Sequence, residues 1–309
     1  MTPFWNPSSA KPRIDHQQSR RIAAAHSRGL NDVMKYRTLG LFLVAPALAT
    51  IAAFFLYPLG YSLISAFTTA SGFSFGNLQK AIELYQNDIL FTVVIIGLST
   101  ALIALCSIAI GGYLTLGENP AALTILNWLY RWPLFIPFVV AGQLMRTFLA
   151  KNGMLNNTLV SFGVMAPADA VSFLDWRGIV ITFVWKQTPF VALLVAGAMA
   201  SLDRGTIEAA RNLGASRFRT LWEIVVPQIR ASLTVGMTLS FVTMMSVLSV
   251  PLMINAQTPT TITANMAFRI NAYGDYGVAN ALGVISIVLT GGVAWLYLRQ
   301  ASREKGISP

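Results

Sequence analysis

The sequence predicts an all-α membrane protein with six transmembrane helices. Of its 309 residues 55% are apolar and only 11% are charged. An ordinary soluble domain carries about 25% charged residues, so this chain has too little charge to cover a water-facing exterior. Four long windows hold no Asp, Glu, Lys or Arg: 38–79, 89–117, 231–268 and 276–298. Two more are interrupted once, 132–150 by Arg146 and 178–202 by Lys186. A hydrocarbon layer about 30 Å thick takes roughly 20 helical residues, and these windows supply six such segments.

In chain order, a polar and basic tail over 1–38 precedes a first span near 39–64. The tail is longer than a typical signal peptide and the apolar stretch exceeds a signal's core, so this span is expected to stay uncleaved. The loop over 65–88, with Gly72, Gly76 and Asn77, should hold turns and one short interfacial helix. Span two follows over 89–116 and span three over 132–150. Lys151-Asn152-Gly153 then marks a turn, and Asn156-Asn157 keeps the next segment polar. Spans four, five and six are expected at 178–200, 231–254 and 276–298, with a charged segment at 201–230 and a tail at 301–309.

Orientation follows from the positive charges. With the N-terminus cytoplasmic, sixteen Lys and Arg fall on the inner segments and four (Lys80, Lys151, Arg177 and Arg269) on the outer ones. That asymmetry puts both termini and the 201–230 segment in the cytoplasm. It also explains the net charge of +10 as membrane flanks, with no nucleic-acid partner. A single cysteine, Cys106, excludes an internal disulfide and any cysteine-cluster metal site. The only histidines, His16 and His26, lie in the tail and offer no zinc centre.

The 201–230 segment reads as two short helices joined by a break. Asp203 or Thr206 can cap the first helix, and Glu208 suits its positive end and can pair with Arg211 one turn on. Gly214 supplies the left-handed residue that ends it. Ser216 can cap the second helix, whose apolar side carries Phe218, Leu221, Trp222 and Val225. Pro227 fits the first turn of the helix entering span five. A rigid elbow with two small alanines is suited to docking into a groove on another protein.

Glu208-Ala209-Ala210, three residues, Gly214, nine residues, then Ile224-x-Val226-Pro227 resembles the EAA loop of the permease subunits of binding-protein-dependent ABC importers. Six of the pattern's seven specified positions match, and Val226 stands where Leu is usual. Asn152-Gly153-Met154-Leu155-Asn156, Trp185-Lys186-x-x-Pro189-Phe190 and Tyr276-Gly277-Val278-Ala279-Asn280-Ala281-Leu282 are also similar to family segments, and the resemblance spans about 39–300. It implies the type I ABC importer permease fold, like that of the methionine importer, with a cytoplasmic coupling loop at 201–227, in a bacterial inner membrane.

The resemblance further implies the partners: ATP-binding ATPase subunits, a second permease subunit (a different chain by family habit), an extracytoplasmic solute-binding protein and membrane lipid. Glu208, Ala209, Ala210, Arg211, Gly214, Arg217 and Pro227 would couple to the ATPase. ATP and Mg would be bound by that partner, and this chain has no phosphate-cradling G-x4-G-K-[ST] loop. It is therefore expected to be a transporter subunit without catalytic residues, cofactor or metal.

Charges inside spans are costly and mark candidate sites. Lys186, about 12 Å from the outer end of span four at helical rise, either lines the pathway or binds a helix-end carbonyl. Arg146 is close enough to the outer end of span three to snorkel. Gln143, Thr188, Asn255 and Asn265 either touch solute or serve as polar glue. No carboxylate falls inside the expected spans, which argues against a proton- or sodium-coupled secondary transporter. Substrate signals divide. Arg211-Asn212-Leu213-Gly214-Ala215-Ser216 and Ser249-Val250-Pro251 look like the polyamine, iron and thiamine branch, and the expectation leans there. Trp185-Lys186 and Tyr276-Gly277 look like the sugar branch, and a cationic Lys186 near the route disfavours a polyamine.

Overall fold

A computed structural model describes residues 43–69, 72–255 and 257–304. The expected tail at 1–38 and residues 305–309 lie outside them. The chain divides into two compact units at Ser62 and Leu63. In the first unit the described residues are helical, part of α1 (Leu43–Ala66). Their apolar side chains are exposed nearly all round, Phe54 and Tyr57 among them, as suits a helix solvated by lipid. A π-turn at Ala52–Leu56, closed by the Tyr57 N–H on the Ala52 carbonyl, sits just before Pro58, whose nitrogen cannot donate.

After the last turn of α1, the second unit continues with a two-stranded hairpin, β1 (Thr68–Thr69) and β2 (Gly72–Phe73), paired antiparallel. It continues directly into α2 (Gly76–Leu116), 41 residues without interruption. The expected 65–88 loop is thus shorter than the sequence reading had it. Turn-forming residues end at Asn77, and Leu78-Gln79-Lys80-Ala81-Ile82-Glu83-Leu84 are good helix formers that propagate the span backwards. At about 1.5 Å per residue α2 is about 60 Å long, twice the hydrocarbon thickness. It carries Glu83 and Asp88 on the same rod as span two, both before the expected start of that span at residue 89. Three of its buried hydroxyls are satisfied locally: Thr92, Ser99 and Thr100 each donate to the carbonyl four residues back, at 2.7–2.8 Å. Leu90, Val94, Leu98 and Leu105 form an exposed apolar stripe on it.

Span three differs from the expectation of one straight helix over 132–150. α3 (Pro120–Leu129) passes into a 3-10 turn at Trp132–Phe135, and α4 (Phe138–Leu149) then leaves in a new direction. The two parts, Pro120–Phe135 and Phe138–Ser161, bend by 110°. Pro133 and Pro137 each remove a donor and restrict the residue before them, so an apolar window need not be a straight helix. After α4 comes α5 (Met154–Ser161). The expected turn at Gly153 is present, since a Cβ there would lie 2.6–2.8 Å from the carbonyl oxygens of Thr147, Phe148 and Ala150. Asn156, expected to be merely polar, is buried and donates to the carbonyls of Ala150, Lys151 and Val171.

α6 (Trp176–Ala200) is the most enclosed helix and packs along α2. Gly111 makes that approach possible, because a Cβ there would meet Val195 Cγ1 at 2.8 Å. α7 (Arg204–Asn212) leads to α8 (Arg217–Ser246), one continuous helix containing a π-turn at Leu221–Val225. Span five therefore ends at Ser246, eight residues short of the expectation. Pro251, in the short α9 (Ser249–Ile254), would clash with the carbonyl of Val247 in a continued helix, and the break falls there. α10 (Ile262–Tyr273) and α11 (Tyr276–Glu304) complete the unit, with α11 running into the expected C-terminal tail.

The main core gathers Ile96 and Ile103 of α2, Phe183, Val191 and Val195 of α6, and Ile229, Phe241 and Met244 of α8. A second core joins Ala81 and Tyr85 of α2 to Ile262, Val278 and Leu282. Between lipid-solvated helices these contacts hold by close packing and buried hydrogen bonds, because the lipid tails are as apolar as the core.

Candidate functional site

The elbow between α6 and α8 is built largely from short-range signals. Asp203 caps α7, its Oδ1 accepting from the Gly205 N–H at 3.0 Å, and the Thr206 hydroxyl donates to its Oδ2 at 3.3 Å. The two candidate caps thus act together, with Asp203 as the cap. Gly214 takes φ +81°. Its N–H donates to the Arg211 carbonyl, and the Ala215 N–H donates to the Ala210 carbonyl. These paired bonds form a Schellman stop. Ser216 Oγ accepts from the Arg219 N–H at 3.3 Å and starts the second arm, which Arg219 and Glu223 brace as an i,i+4 ion pair at 2.9 Å.

Burial sorts the faces. Ile207 and Leu221 pack against the main core and Ala210 is buried, whereas Glu208 and Ala209 are exposed. Leu213 at the bend is 89% exposed and Phe218 is 73% exposed, with its ring 6.1 Å from that of Trp222. Pro227 falls in the first α-helical turn of span five, as expected. It lies inside α8 directly after the π-turn, where the Val226 N–H reaches back to the Leu221 carbonyl. The wider turn accommodates a residue that cannot donate.

The expected Glu208–Arg211 pair does not form. Arg211 Nη2 instead donates to Oε1 of Glu118 at 2.6 Å, and Arg217 Nη2 pairs with Oε2 of the same carboxylate. The two guanidiniums, Arg211 first, hold the Glu118 carboxyl below its ordinary range. Glu208 carries no hydrogen bond or ion pair among the described residues. Glu118, missed by the sequence reading, is the acidic residue between spans two and three, facing an arginine-rich loop. Beside the elbow a cavity of about 600 Å³ is lined by Asn127, Arg131, Arg204, Glu208 and Arg211.

Lys186 stands apart from the elbow, 6% exposed on α6. Its ammonium donates to the Leu134 carbonyl at 3.2 Å and lies 5.1 Å from the centre of the Phe138 ring. The break in span three frees that carbonyl from helical pairing, and the lysine occupies it. Thr188, two residues on, is buried with its hydroxyl unsatisfied, while its carbonyl accepts from Ser107 at 3.4 Å. Gln143 is exposed on α4, its carbonyl accepting from Thr147. Asn265 is buried with an unsatisfied amide nitrogen, and Asn255 Nδ2 donates to the Pro259 carbonyl.

Residues 124–305 match the family described as the binding-protein-dependent transport system inner membrane component. The sulfoquinovosyl glycerol transport system permease of Agrobacterium fabrum is 24% identical over 285 residues, covering 85% of this chain and 90% of that protein. The alpha-glucoside transport system permease of Rhizobium meliloti is 26% identical, covering 93% and 88%. Among solved structures, a chain of a bacterial alginate ABC transporter superposes with a TM-score of 0.73 at 21% identity, covering 88% of this chain and 96% of its own. A chain of an inward-facing methionine ABC transporter superposes at 0.54 and 16% identity, covering 72% and 96%. The chain belongs to the family of binding-protein-dependent transport system inner membrane components, the permease subunits of ABC importers.

Proposed function

We propose that the α7–α8 elbow is the surface by which this permease engages its ATPase subunit, with Glu208, Ala209, Ala210, Arg211, Gly214, Arg217 and Pro227 as the coupling segment. One observation carries the reading: on this elbow Glu208 is exposed with no partner among the described residues, and Leu213 and Phe218 are exposed as well. An unpaired carboxylate and exposed apolar side chains on one capped elbow suit a second protein. In this reading the elbow and both termini are cytoplasmic, 1–38 and 301–309 are tails, and 39–300 is the permease domain. A second permease chain completes the pathway. Lys186, Gln143 and Thr188 are the polar residues assigned to the pathway or its gate.

For cargo, the sugar-type reading is now the better supported. The first relatives named above transport a sulfoquinovosyl glycerol and alpha-glucosides, and the Trp185-Lys186 and Tyr276-Gly277 segments agree with them. The polyamine, iron and thiamine reading keeps the Arg211–Ser216 and Ser249–Pro251 segments as its support.

Two variants test the elbow. Glu208→Lys and Gly214→Pro should each abolish co-purification of the ATPase and uptake, and unimpaired assembly in both would reject the assignment. Uptake of a labelled alpha-glucoside against labelled spermidine by the assembled transporter separates the two cargo readings.

A further inference from the structure

We propose that Glu118 is a positioning residue that keeps the elbow's Glu208 available to the ATPase, by taking Arg211 away from it and tying both arms of the elbow to the end of α2. The proposal rests on the elbow being the ATPase contact. Arg211 is one turn from Glu208 on α7, the spacing at which oppositely charged side chains pair. It pairs instead with Glu118 at 2.6 Å, 93 residues away in sequence. The carboxylate divides its oxygens, Oε1 to Arg211 on the first arm and Oε2 to Arg217 on the second. Gly214, at φ +81°, lies between the two arginines, so the clasp spans the bend. Glu118 itself is anchored two residues beyond Leu116, the last of α2, through the Gly117 N–H on the Tyr113 carbonyl at 2.8 Å. Nearby, a Cβ on Gly112 would meet Leu221 of the second arm at 2.8 Å, so α2 and that arm are already in close contact.

Two consequences follow for the charges. With Glu118 present, both arginines are committed and Glu208 faces outward as a free anion. With Glu118 neutralised, Arg211 returns to its helical neighbour Glu208 and cancels the charge that a partner would read. The clasp is solvent-accessible, Glu118 being 57% exposed, so it is an adjustable, salt-screened contact.

The test uses the whole transporter purified through the permease, with ATPase retained per permease as the readout and a monodisperse elution profile as the folding control. Glu118→Gln should weaken ATPase retention by about three- to tenfold, and Glu118→Asp should restore most of it. The distinctive outcome is a double-variant cycle. Arg211→Gln is itself expected to weaken retention, because Arg211 belongs to the coupling segment, but adding Glu118→Gln to it should cause little further loss, since the effect of Glu118 runs through Arg211. A further loss as large as Glu118→Gln causes in the parent, or a Glu118→Gln that retains ATPase like the parent, overturns the proposal. Glu208→Gln is run alongside. If it too retains the ATPase, the elbow reading falls and the clasp with it. If it loses the ATPase while Glu118→Gln does not, the clasp alone is wrong.

Discussion

Two regions along α2 are held by different physics. At the end near Leu116, the exposed Glu118 grips two exposed arginines. Part-way along the helix the contacts are buried: Asp88, 6% exposed, accepts from the Thr260 N–H at 2.7 Å, and Thr92 Oγ1 accepts from the Ile262 N–H at 3.0 Å. These two side chains satisfy backbone donors at and before the start of α10, which that helix cannot satisfy itself. One turn before Asp88, Tyr85 meets Arg269, which lies between the Tyr85 and Tyr273 rings and reaches Asp275 at 3.5 Å. A buried hydrogen bond to a carboxylate is costly to break, whereas an exposed ion pair is screened and cheap. The difference separates a fixed mount from a contact that can be rearranged by a partner.

Substitutions should fall in that order. Asp88→Ala strands the Thr260 N–H and should destabilise by about 2–3 kcal/mol, seen as the largest fall in Tm in detergent. Gly214→Val forces a β-branched residue into the left-handed region, at a cost of about 1–2 kcal/mol, and should distort the elbow without touching the α10 mount. Thr92→Val removes one buried acceptor and should cost about 1 kcal/mol, and a change as large as that of Asp88→Ala would show that the mount acts as a single network. Glu118→Gln should leave Tm unchanged, and a large fall would erase the contrast between the two regions. The clasp also has a defined pH dependence. Its two arginines lower the Glu118 pKa, so its contribution is complete above the ordinary carboxylate range and is lost as pH falls through the lowered value. ATPase retention should therefore show no Glu118-dependent change between about pH 6 and pH 8.

Legibility in the sequence followed the range of each interaction. The caps at Asp203, Gly214 and Ser216 are encoded within a few residues of the bonds they make, and they were readable. So were five of the spans, because a long apolar window is a local property. The bend in span three was not read, although Pro133 and Pro137 were visible. An apolar window reports what a segment can be immersed in, and says nothing of the direction its backbone takes. Glu118 escaped for another reason: its partner Arg211 is 93 positions away, while a competing partner, Glu208, sits at the right helical spacing. Local pairing rules chose the neighbour; the fold chose the distant acid. Asp88 stood one residue outside a charge-free window and looked like a loop boundary until α2 extended past it.

The union of the elbow's second arm with span five has a mechanical consequence. From Arg217 to Ser246 there are 30 residues of unbroken helix, a strut of about 45 Å at helical rise, with no slack loop along it to absorb a push. A tilt imposed at the Phe218 end is delivered, like the throw of a crank, to Phe241 and Met244 deep among the other helices.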